Sequence, residues 1–250
     1  MSGQARRQPM IVAHRGSNET LPEHSLAAYA EAVALGADAL ECDVRLTKDG
    51  HLVLHHDRLV NRTSDGAGAV SDLTLAALKR LDFSVNREGV PADPAHREIV
   101  TLPQLLELAA DAPRPVRLCI ETKHPTRYGA RVERRLFSLL KRYPQVETTV
   151  MSFSRTALHR ARVMSPDTPL VWLFQYPLGP PPPFAGTIGV DVRLVKKRLD
   201  MIERAHRGGR KVFVWTVNDP ADAVMLAKHN VDAIISDRPG TIREALKAKV

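Results

Sequence analysis

The chain has 250 residues, of which 44% are hydrophobic and 26% are charged, and its formal net charge is +8. This is the composition of an ordinary globular protein, and the length suits either one α/β barrel or two smaller domains. The two cysteines, Cys42 and Cys119, lie in no metal-type or redox-type spacing, which argues against a disulfide framework. The basic residues are scattered without interleaved aromatic residues, so we expect no nucleic-acid partner.

The N-terminal region begins with polar and basic residues and contains only a short apolar stretch, Met10 to Ala13. This stretch is too short for the apolar region of a secretory signal. No other stretch approaches the length that spans a bilayer. We therefore predict a cytoplasmic location without stable membrane insertion.

Short apolar runs alternate with amphipathic stretches along the chain, a pattern typical of βα units and a parallel sheet. The predicted strands are residues 10–13, 39–46, 116–121, 149–153, 170–174, 187–190, 211–217 and 232–236. The predicted helices are residues 25–35, 71–81, 102–110, 128–143, 156–164, 198–207, 219–229 and 240–248. This order predicts a closed TIM (β/α)8 barrel. The alternative, an open doubly wound sheet, is weakened because the first turn lacks a dinucleotide glycine pattern.

Two segments interrupt the alternation. Residues 57–101 follow the second strand and its short hairpin partner, and they combine the predicted helix 71–81, capped by Ser71, with a proline- and charge-rich loop. We interpret them as an insertion, a lid or small subdomain, within a single domain over residues 1–250. Residues 178–184 carry four consecutive prolines where a helix would be expected, which predicts an extended loop.

Acidic side chains stand near the carboxyl ends of the second and third predicted strands, where barrels of this type build their active sites. Glu41 and Asp43 project from one face because residues two apart on a strand point the same way, and Glu121 ends the next strand. If these faces point inward, three carboxylates converge, and a hard divalent cation, Mg²⁺ or Ca²⁺, would balance their charge. The alternative is that they pair with the basic side chains Arg15, Arg45 and Lys123.

Two histidines and two basic residues complete this predicted constellation. His14 and His56 lie at the ends of neighbouring strand segments, and histidine is the side chain best suited to move protons near neutral pH. Cleavage of a phosphodiester needs a base for the attacking oxygen and an acid for the leaving alcohol. Arg15 and Lys123 can bind phosphate oxygens as well as pair with the carboxylates.

The ordered set of motifs resembles the glycerophosphodiester phosphodiesterase family. The matching segments are Ala13–Gly16 (HRG), Pro22–Ser25 (PENT), Glu41–Val44 (E-x-D), His56–Asp57 with Asn61–Thr63 (HD…RT), Glu121–Lys123 (E-x-K), Val214–Asn218 and Ile235–Pro239. The resemblance implies a TIM barrel with a small insertion after strand two. It also implies metal-dependent hydrolysis of a small-molecule glycerophosphodiester to glycerol 3-phosphate and an alcohol.

The same resemblance assigns roles to individual residues. It implies Glu41, Asp43 and Glu121 as metal ligands and His14 and His56 as the acid–base pair. Arg15 and Lys123 would hold the phosphate. Glu23 would bond a ligand or a group behind it. Independently of the resemblance, we expect the aromatic residues Phe153, Phe184 and Trp215 to form the apolar wall of the pocket, with core packing as the alternative for Phe184.

One departure and two other functions stay open from the sequence. The Asn-Thr of the family's PENT motif is replaced here by His24 and Ser25, which removes an amide near the site. Phospholipase D-like lipid phosphodiesterases share several of these motifs, but they are secreted, carry disulfides and lack a comparable insertion. A protein that binds glycerophosphodiesters without turnover is the third alternative, and the intact histidines and acidic trio argue against it.

Overall fold

The structure is a computed structural model that describes residues 8–176 and 179–248. Its strands form one sheet around a barrel axis. The strands are β1 (Met10–His14), β2 (Ala39–Leu46), β3 (Leu52–Leu54), β4 (Arg117–Thr122), β5 (Thr148–Ser152), β6 (Leu170–Phe174), β7 (Thr187–Asp191), β8 (Lys211–Trp215) and β9 (Ala233–Ser236). Because β1 pairs in parallel with both β2 and β9, eight parallel strands close on themselves, while β3 pairs antiparallel with β2.

Helices connect most of the parallel strands and cover the outside of the barrel. They are α1 (Leu26–Ala34), α2 (Leu75–Leu78), α3 (Pro94–Arg97), α4 (Leu102–Ala110), α5 (Arg131–Leu140), α6 (Arg155–Met164), α7 (Val192–Lys197), α8 (Asp200–Arg207), α9 (Pro220–Lys228) and α10 (Pro239–Lys247). A large hydrophobic cluster lies between sheet and helices, and a smaller one fills the barrel interior. None of the helices in the described ranges combines the length and apolarity needed to cross a membrane.

The segment between β3 and α4 differs in detail from its prediction. Residues 70–72 form a 3-10 turn and α2 spans only four residues, so the predicted helix 71–81 is wrong. Leu73 is extended because its carbonyl accepts a hydrogen bond from Lys48 N, and Thr74 caps the following turn in place of Ser71. Six apolar side chains of this region and β3 form a cluster of their own: Val53, Val60, Val70, Leu78, Phe83 and Ile99.

The connections around β7 also differ from the predicted pattern. An additional helix, α7, follows β7 directly, because the Asp191 side chain accepts a hydrogen bond from Arg193 N and caps it. Between β6 and β7, residues 175–176 and 179–186 contain no helix, as the proline run predicted. Leu178, the first residue of that predicted loop, lies outside the described residues.

Candidate active site

Strand alternation brings the predicted site residues to the inner face at one mouth of the barrel. Ala39 and Cys119 belong to the interior cluster, so Glu41, Asp43 and Glu121, which follow them at two-residue steps, also face the axis. The same step leads from three other interior residues to polar or amphipathic ones: from Val12 to His14, from Phe213 to Trp215 and from Ile235 to Asp237. Side chains separated by up to 223 residues along the chain therefore meet at the carboxyl ends of the strands.

The three carboxylates of Glu41, Asp43 and Glu121 form one buried cluster, in which an oxygen of each lies within 4.8 Å of the others. Lys123 Nζ bridges two of them, at 3.0 Å from Asp43 Oδ1 and 2.8 Å from Glu121 Oε1. Arg15 Nε lies 3.1 Å from Asp43 Oδ2. The acids thus converge, and Asp43 and Glu121 also pair with two of the three expected basic residues, Arg15 and Lys123.

Arg45 was the third basic residue expected to pair with these acids, and the structure gives it another contact. Its Nε and Nη2 both donate to the carbonyl oxygen of His56, at 3.1 and 2.7 Å. Arg45 therefore fixes the backbone that carries His56. Its expected ion pair with the carboxylate cluster is not among the ion pairs of the described residues.

The electrostatics of the cluster favour an added cation. Burial and the neighbouring Asp43 charge hold the pKa of Glu41 well above its usual range. Burial also raises the pKa of Glu121 to about 7, although Lys123 opposes the rise. For Asp43, burial acts in the same direction, but Lys123 and the hydrogen bond from His24 hold its pKa well below the usual range. Three buried oxygen donors that cannot all ionise cheaply fit a hard divalent cation.

His14 is held from behind by a carboxylate at the end of β9. Its Nδ1 donates to Asp237 Oδ1 at 2.7 Å, while Nε2 faces the carboxylate cluster, 4.0 Å from Glu41 Oε2. Asp237 accepts two further hydrogen bonds, from Asn18 Nδ2 at 2.9 Å and from Asn218 Nδ2 at 2.6 Å. These contacts hold the pKa of Asp237 below its usual value despite its burial. An ionised Asp237 therefore fixes the ring with Nε2 turned towards the carboxylate cluster.

His56 is held in a similar way by its neighbour in sequence. Its Nδ1 donates to Asp57 Oδ1 at 2.6 Å. Arg62 donates from Nε to Asp57 Oδ2 at 2.6 Å and from both terminal nitrogens to Glu23, at 2.9 and 2.7 Å. Glu23 in turn accepts from Arg15 Nη1 at 3.1 Å. One network of alternating charges thus joins His56 to Arg15, and Glu23 lies behind Arg15 in it.

The aromatic residues expected to line the pocket separate into two groups. Phe153 and Trp215 meet edge to face, with ring centroids 5.5 Å apart, and Phe153 is 40% exposed. Trp215 Nε1 is buried and has no hydrogen-bond partner within the described part of the chain. Phe184 packs instead against the outer hydrophobic cluster and the His159 ring, so the core-packing alternative is correct for it.

Residues 14–241 match the model of the Glycerophosphoryl diester phosphodiesterase family, and they cover most of the chain. The chain belongs to this family. It is 38% identical to the "Probable glycerophosphodiester phosphodiesterase 1" of Mycobacterium tuberculosis, over 96% of this chain and 93% of that protein. It is 34% identical to the glycerophosphodiester phosphodiesterase of Caldanaerobacter subterraneus subsp. tengcongensis, over 93% of this chain and 96% of that protein.

Solved structures of phosphodiesterases have the same fold. A phosphodiesterase from Oleispira antarctica, determined in complex with the product sn-glycerol-3-phosphate, has a TM-score of 0.84 and 24% identity, over 96% of this chain and 97% of that chain. A glycerophosphodiester phosphodiesterase from Agrobacterium tumefaciens has a TM-score of 0.79 and 25% identity, over 96% of this chain and all of the other. The predicted TIM barrel and the predicted membership of this enzyme family are confirmed.

Within the family motifs, sequence reasoning missed the residues that hold the histidines. Asn218 and Asp237 lie in two of the matching motifs, but the sequence assigns no role to either, and it does not predict the contacts of Asn18, Asp57 and Arg62. The one available signal was the adjacency of His56 and Asp57, because a carboxylate next to a histidine can orient its ring. Nothing local to His14 indicates that its partner lies 223 residues later.

Proposed function

We propose that this chain hydrolyses small glycerophosphodiesters to glycerol 3-phosphate and an alcohol, with a divalent cation and two histidines. The observation that carries the proposal is the cluster of three buried carboxylates, Glu41, Asp43 and Glu121, with His14 Nε2 facing it. Membership of the family supports the substrate class. The hydrolysis product in the Oleispira antarctica structure supports a small-molecule substrate.

Glu41, Asp43 and Glu121 would hold the cation, which is Mg²⁺ or Ca²⁺ because all three offer oxygen. When bound, the cation would supply Lewis acidity for a phosphate oxygen and stabilise the negative charge of the transition state. Lys123 lies beside the same carboxylates, at 2.8 and 3.0 Å, so its ammonium stands next to the place where a phosphate would meet the cluster. Its charge would bind a non-bridging phosphate oxygen.

His14 and His56 would share the proton transfers. Each ring has Nδ1 on a carboxylate, Asp237 or Asp57, which leaves Nε2 as the reacting nitrogen. One Nε2 takes the proton from the attacking oxygen, of water or of the glycerol 2-hydroxyl, as that oxygen bonds to phosphorus. The other gives its proton to the leaving oxygen as the phosphorus–oxygen bond breaks. Attack by water gives glycerol 3-phosphate directly. Attack by the 2-hydroxyl gives a cyclic glycerol phosphate, which a water molecule then opens to glycerol 3-phosphate with the two histidines in exchanged roles.

The remaining site residues would bind and orient the substrate. Arg15 is held between Asp43 and Glu23 and presents a fixed positive charge to the phosphate. Trp215, with Phe153 against it, would form the apolar wall of the pocket. We further propose that one catalytic domain, residues 1–250, carries the whole site, with residues 57–101 as an insertion subdomain. A cytoplasmic location remains part of this proposal.

The test is an assay of the purified protein against a panel of glycerophosphodiesters, with release of glycerol 3-phosphate followed under Mg²⁺, Ca²⁺ or excess EDTA. We expect turnover with a divalent cation and its loss on chelation. Full activity in excess EDTA would remove the cation from the mechanism. Binding of a glycerophosphodiester without turnover would show that the protein is a binding protein and not an enzyme. Hydrolysis of sphingomyelin vesicles in preference to the panel would favour the alternative of a lipid phosphodiesterase.

Variants of the two histidines test their roles. His14→Ala and His56→Ala should each lower turnover of a choline or ethanolamine diester by at least about 100-fold, the usual contribution of a general acid or base. A glycerol phosphodiester with a 4-nitrophenyl leaving group needs no acid, so it should rescue only the variant that lacks the acid. His229→Ala, an exposed histidine of the α9 end, is the matched control. Wild-type rates in either site variant would refute its role.

A further inference from the structure

His24 occupies the position at which the sequence departs from the family motif, and it lies behind the carboxylate cluster. It is 5% exposed, and its Nε2 lies 3.0 Å from Asp43 Oδ2. Because an ionised carboxylate only accepts, Nε2 carries the hydrogen of this bond. We propose that His24 is a positioning residue that sets which oxygen of Asp43 binds the cation. This inference rests on the proposed function, since it concerns the same cation site.

The two oxygens of Asp43 have different surroundings. Oδ2 faces two donors, His24 Nε2 at 3.0 Å and Arg15 Nε at 3.1 Å. Within the described part of the chain, Oδ1 has one ion-pair contact, with Lys123 Nζ at 3.0 Å, and the same ammonium lies 2.8 Å from Glu121 Oε1. Oδ1, which shares the Lys123 ammonium with Glu121, is therefore the oxygen of Asp43 that remains for a cation. Because His24 holds Oδ2, Asp43 would offer Oδ1 to the cation.

A second contact fixes the His24 ring and links it to another ligand. Nδ1 lies 2.8 Å from the hydroxyl of Tyr29, a residue of α1 that is completely buried. The same hydroxyl lies 3.1 Å from the carbonyl oxygen of Glu41. The chain of contacts thus runs from Asp43 through His24 and Tyr29 to the backbone of Glu41. It connects the carboxylate of Asp43 with the backbone of Glu41. Because the hydroxyl has one hydrogen and Nδ1 of a ring protonated at Nε2 only accepts, Nδ1 and the Glu41 carbonyl share this single donor, and the bond from His24 to Asp43 is the contact that reaches a carboxylate directly.

The backbone aims the His24 side chain inward. Its φ is +63°, in the left-handed region that histidine and asparagine adopt more readily than most residues. His24 N donates to Arg15 O at 2.9 Å, so the loop is anchored to the residue that also holds Asp43 Oδ2. The imidazole is longer than an asparagine amide, and it spans the distance from Asp43 to Tyr29 in one side chain. The histidine therefore supplies a contact to Asp43 that an asparagine would not reach from the same backbone.

Three variants separate the contacts of His24. The terminal nitrogen of glutamine falls close to the place of Nε2, so His24→Gln keeps the donor to Asp43. The amide of asparagine falls close to Nδ1, so His24→Asn keeps only the neighbour of Tyr29. His24→Leu keeps the volume and removes both contacts. Tyr29→Phe is the matched control, because it removes the hydroxyl and leaves the bond from His24 to Asp43 in place.

The readout is the affinity of the purified protein for Mn²⁺, used as a probe of the Mg²⁺ type and measured by electron paramagnetic resonance of the free ion. Groups behind metal ligands typically contribute about 10- to 100-fold in affinity. We expect a loss of that order in His24→Leu and His24→Asn, and roughly threefold or less in His24→Gln and Tyr29→Phe, where the bond to Asp43 persists. Thermal unfolding without cation checks that each variant is folded.

The outcomes separate this inference from the proposed function. A wild-type protein that binds no Mn²⁺ would contradict the cation site itself. A wild-type protein that binds Mn²⁺, together with an unchanged affinity in His24→Leu, would overturn only the role of His24. Equal losses in His24→Gln and His24→Asn would show that the donor to Asp43 is not the cause. If His24→Leu does not fold, the comparison of the glutamine and asparagine variants decides the question.

Discussion

Replacement of Asp237 by asparagine tests the proposed role of His14 through the carboxylate that holds its ring. In the native protein Asp237 Oδ1 accepts from His14 Nδ1 and Asn18 Nδ2, and Oδ2 accepts from Asn218 Nδ2. An asparagine must put its NH₂ group at one of these positions. The NH₂ group is less unfavourable at the Oδ2 position, because it faces one donor there, Asn218 Nδ2, and two donors at the Oδ1 position. Asn218 cannot turn to meet it without losing the bonds that its Oδ1 accepts from Ser236 and from the backbone of residue 237.

The expected loss follows from these contacts. His14 keeps a hydrogen bond to a neutral oxygen, which stabilises by about 1 kcal/mol less than a bond to a carboxylate. The charge that stabilises the protonated ring is also lost, and one pair of donors faces each other. We expect the sum to raise the barrier by about 1.5 to 3 kcal/mol, which is roughly a 10- to 100-fold lower kcat. KM should change little, because Asp237 lies behind the ring.

The assay is steady-state hydrolysis of a glycerophosphodiester at neutral pH, with unfolding followed in parallel. Asp219→Asn is the matched control, since Asp219 is an exposed cap of α9 and asparagine caps as well as aspartate. A kcat of Asp237→Asn equal to that of the wild type would refute the reasoning. So would a loss that appears entirely in KM.

Three further predictions concern the backbone and the charge network. Gly16→Ala should lower the free energy of unfolding by about 2 to 5 kcal/mol and Tm by roughly 5 to 15 °C. The reason is that Gly16 has φ +90° and that a Cβ at this position would lie 2.7 Å from Ala28 Cβ. An unchanged Tm would contradict this prediction. Burial would raise the pKa of Glu23, but the hydrogen bonds from Arg62 and nearby positive charge lower it from 4.5 to about 2. Because the pKa of Glu23 is lower in the folded than in the unfolded protein, the free energy of unfolding of the wild type should fall by up to about 3 kcal/mol relative to that of Glu23→Gln as the pH falls from 4.5 towards 2. Urea midpoints of the two proteins that change in parallel across this pH range would disprove it. Arg62→Lys cannot hold Glu23 and Asp57 together, so kcat should fall about tenfold with little change in Tm, and equal kcat values would exclude a role in positioning His56.

The sequence predicted the barrel and the polarity of its strands because these depend on local patterns. A two-residue step along β2 places Glu41 and Asp43 on one face whatever the rest of the chain does. The bounds of a helix were harder to predict where contacts with residues outside the helix determine where it begins and ends. The predicted helix 71–81 fails because Leu73 bonds to Lys48, and α7 was missed because its cap, Asp191, belongs to the preceding strand.

The sequence by itself determined which residues could do the chemistry: two histidines, three carboxylates and two basic side chains at the ends of strands. Only the tertiary structure decided how they are held. The closure of β1 on β9 brings Asp237 to His14, and the loop after β1 brings His24 to Asp43. The physical reason is range. Strand periodicity acts over a few residues, whereas a hydrogen bond between residues 14 and 237 exists only once the barrel has closed.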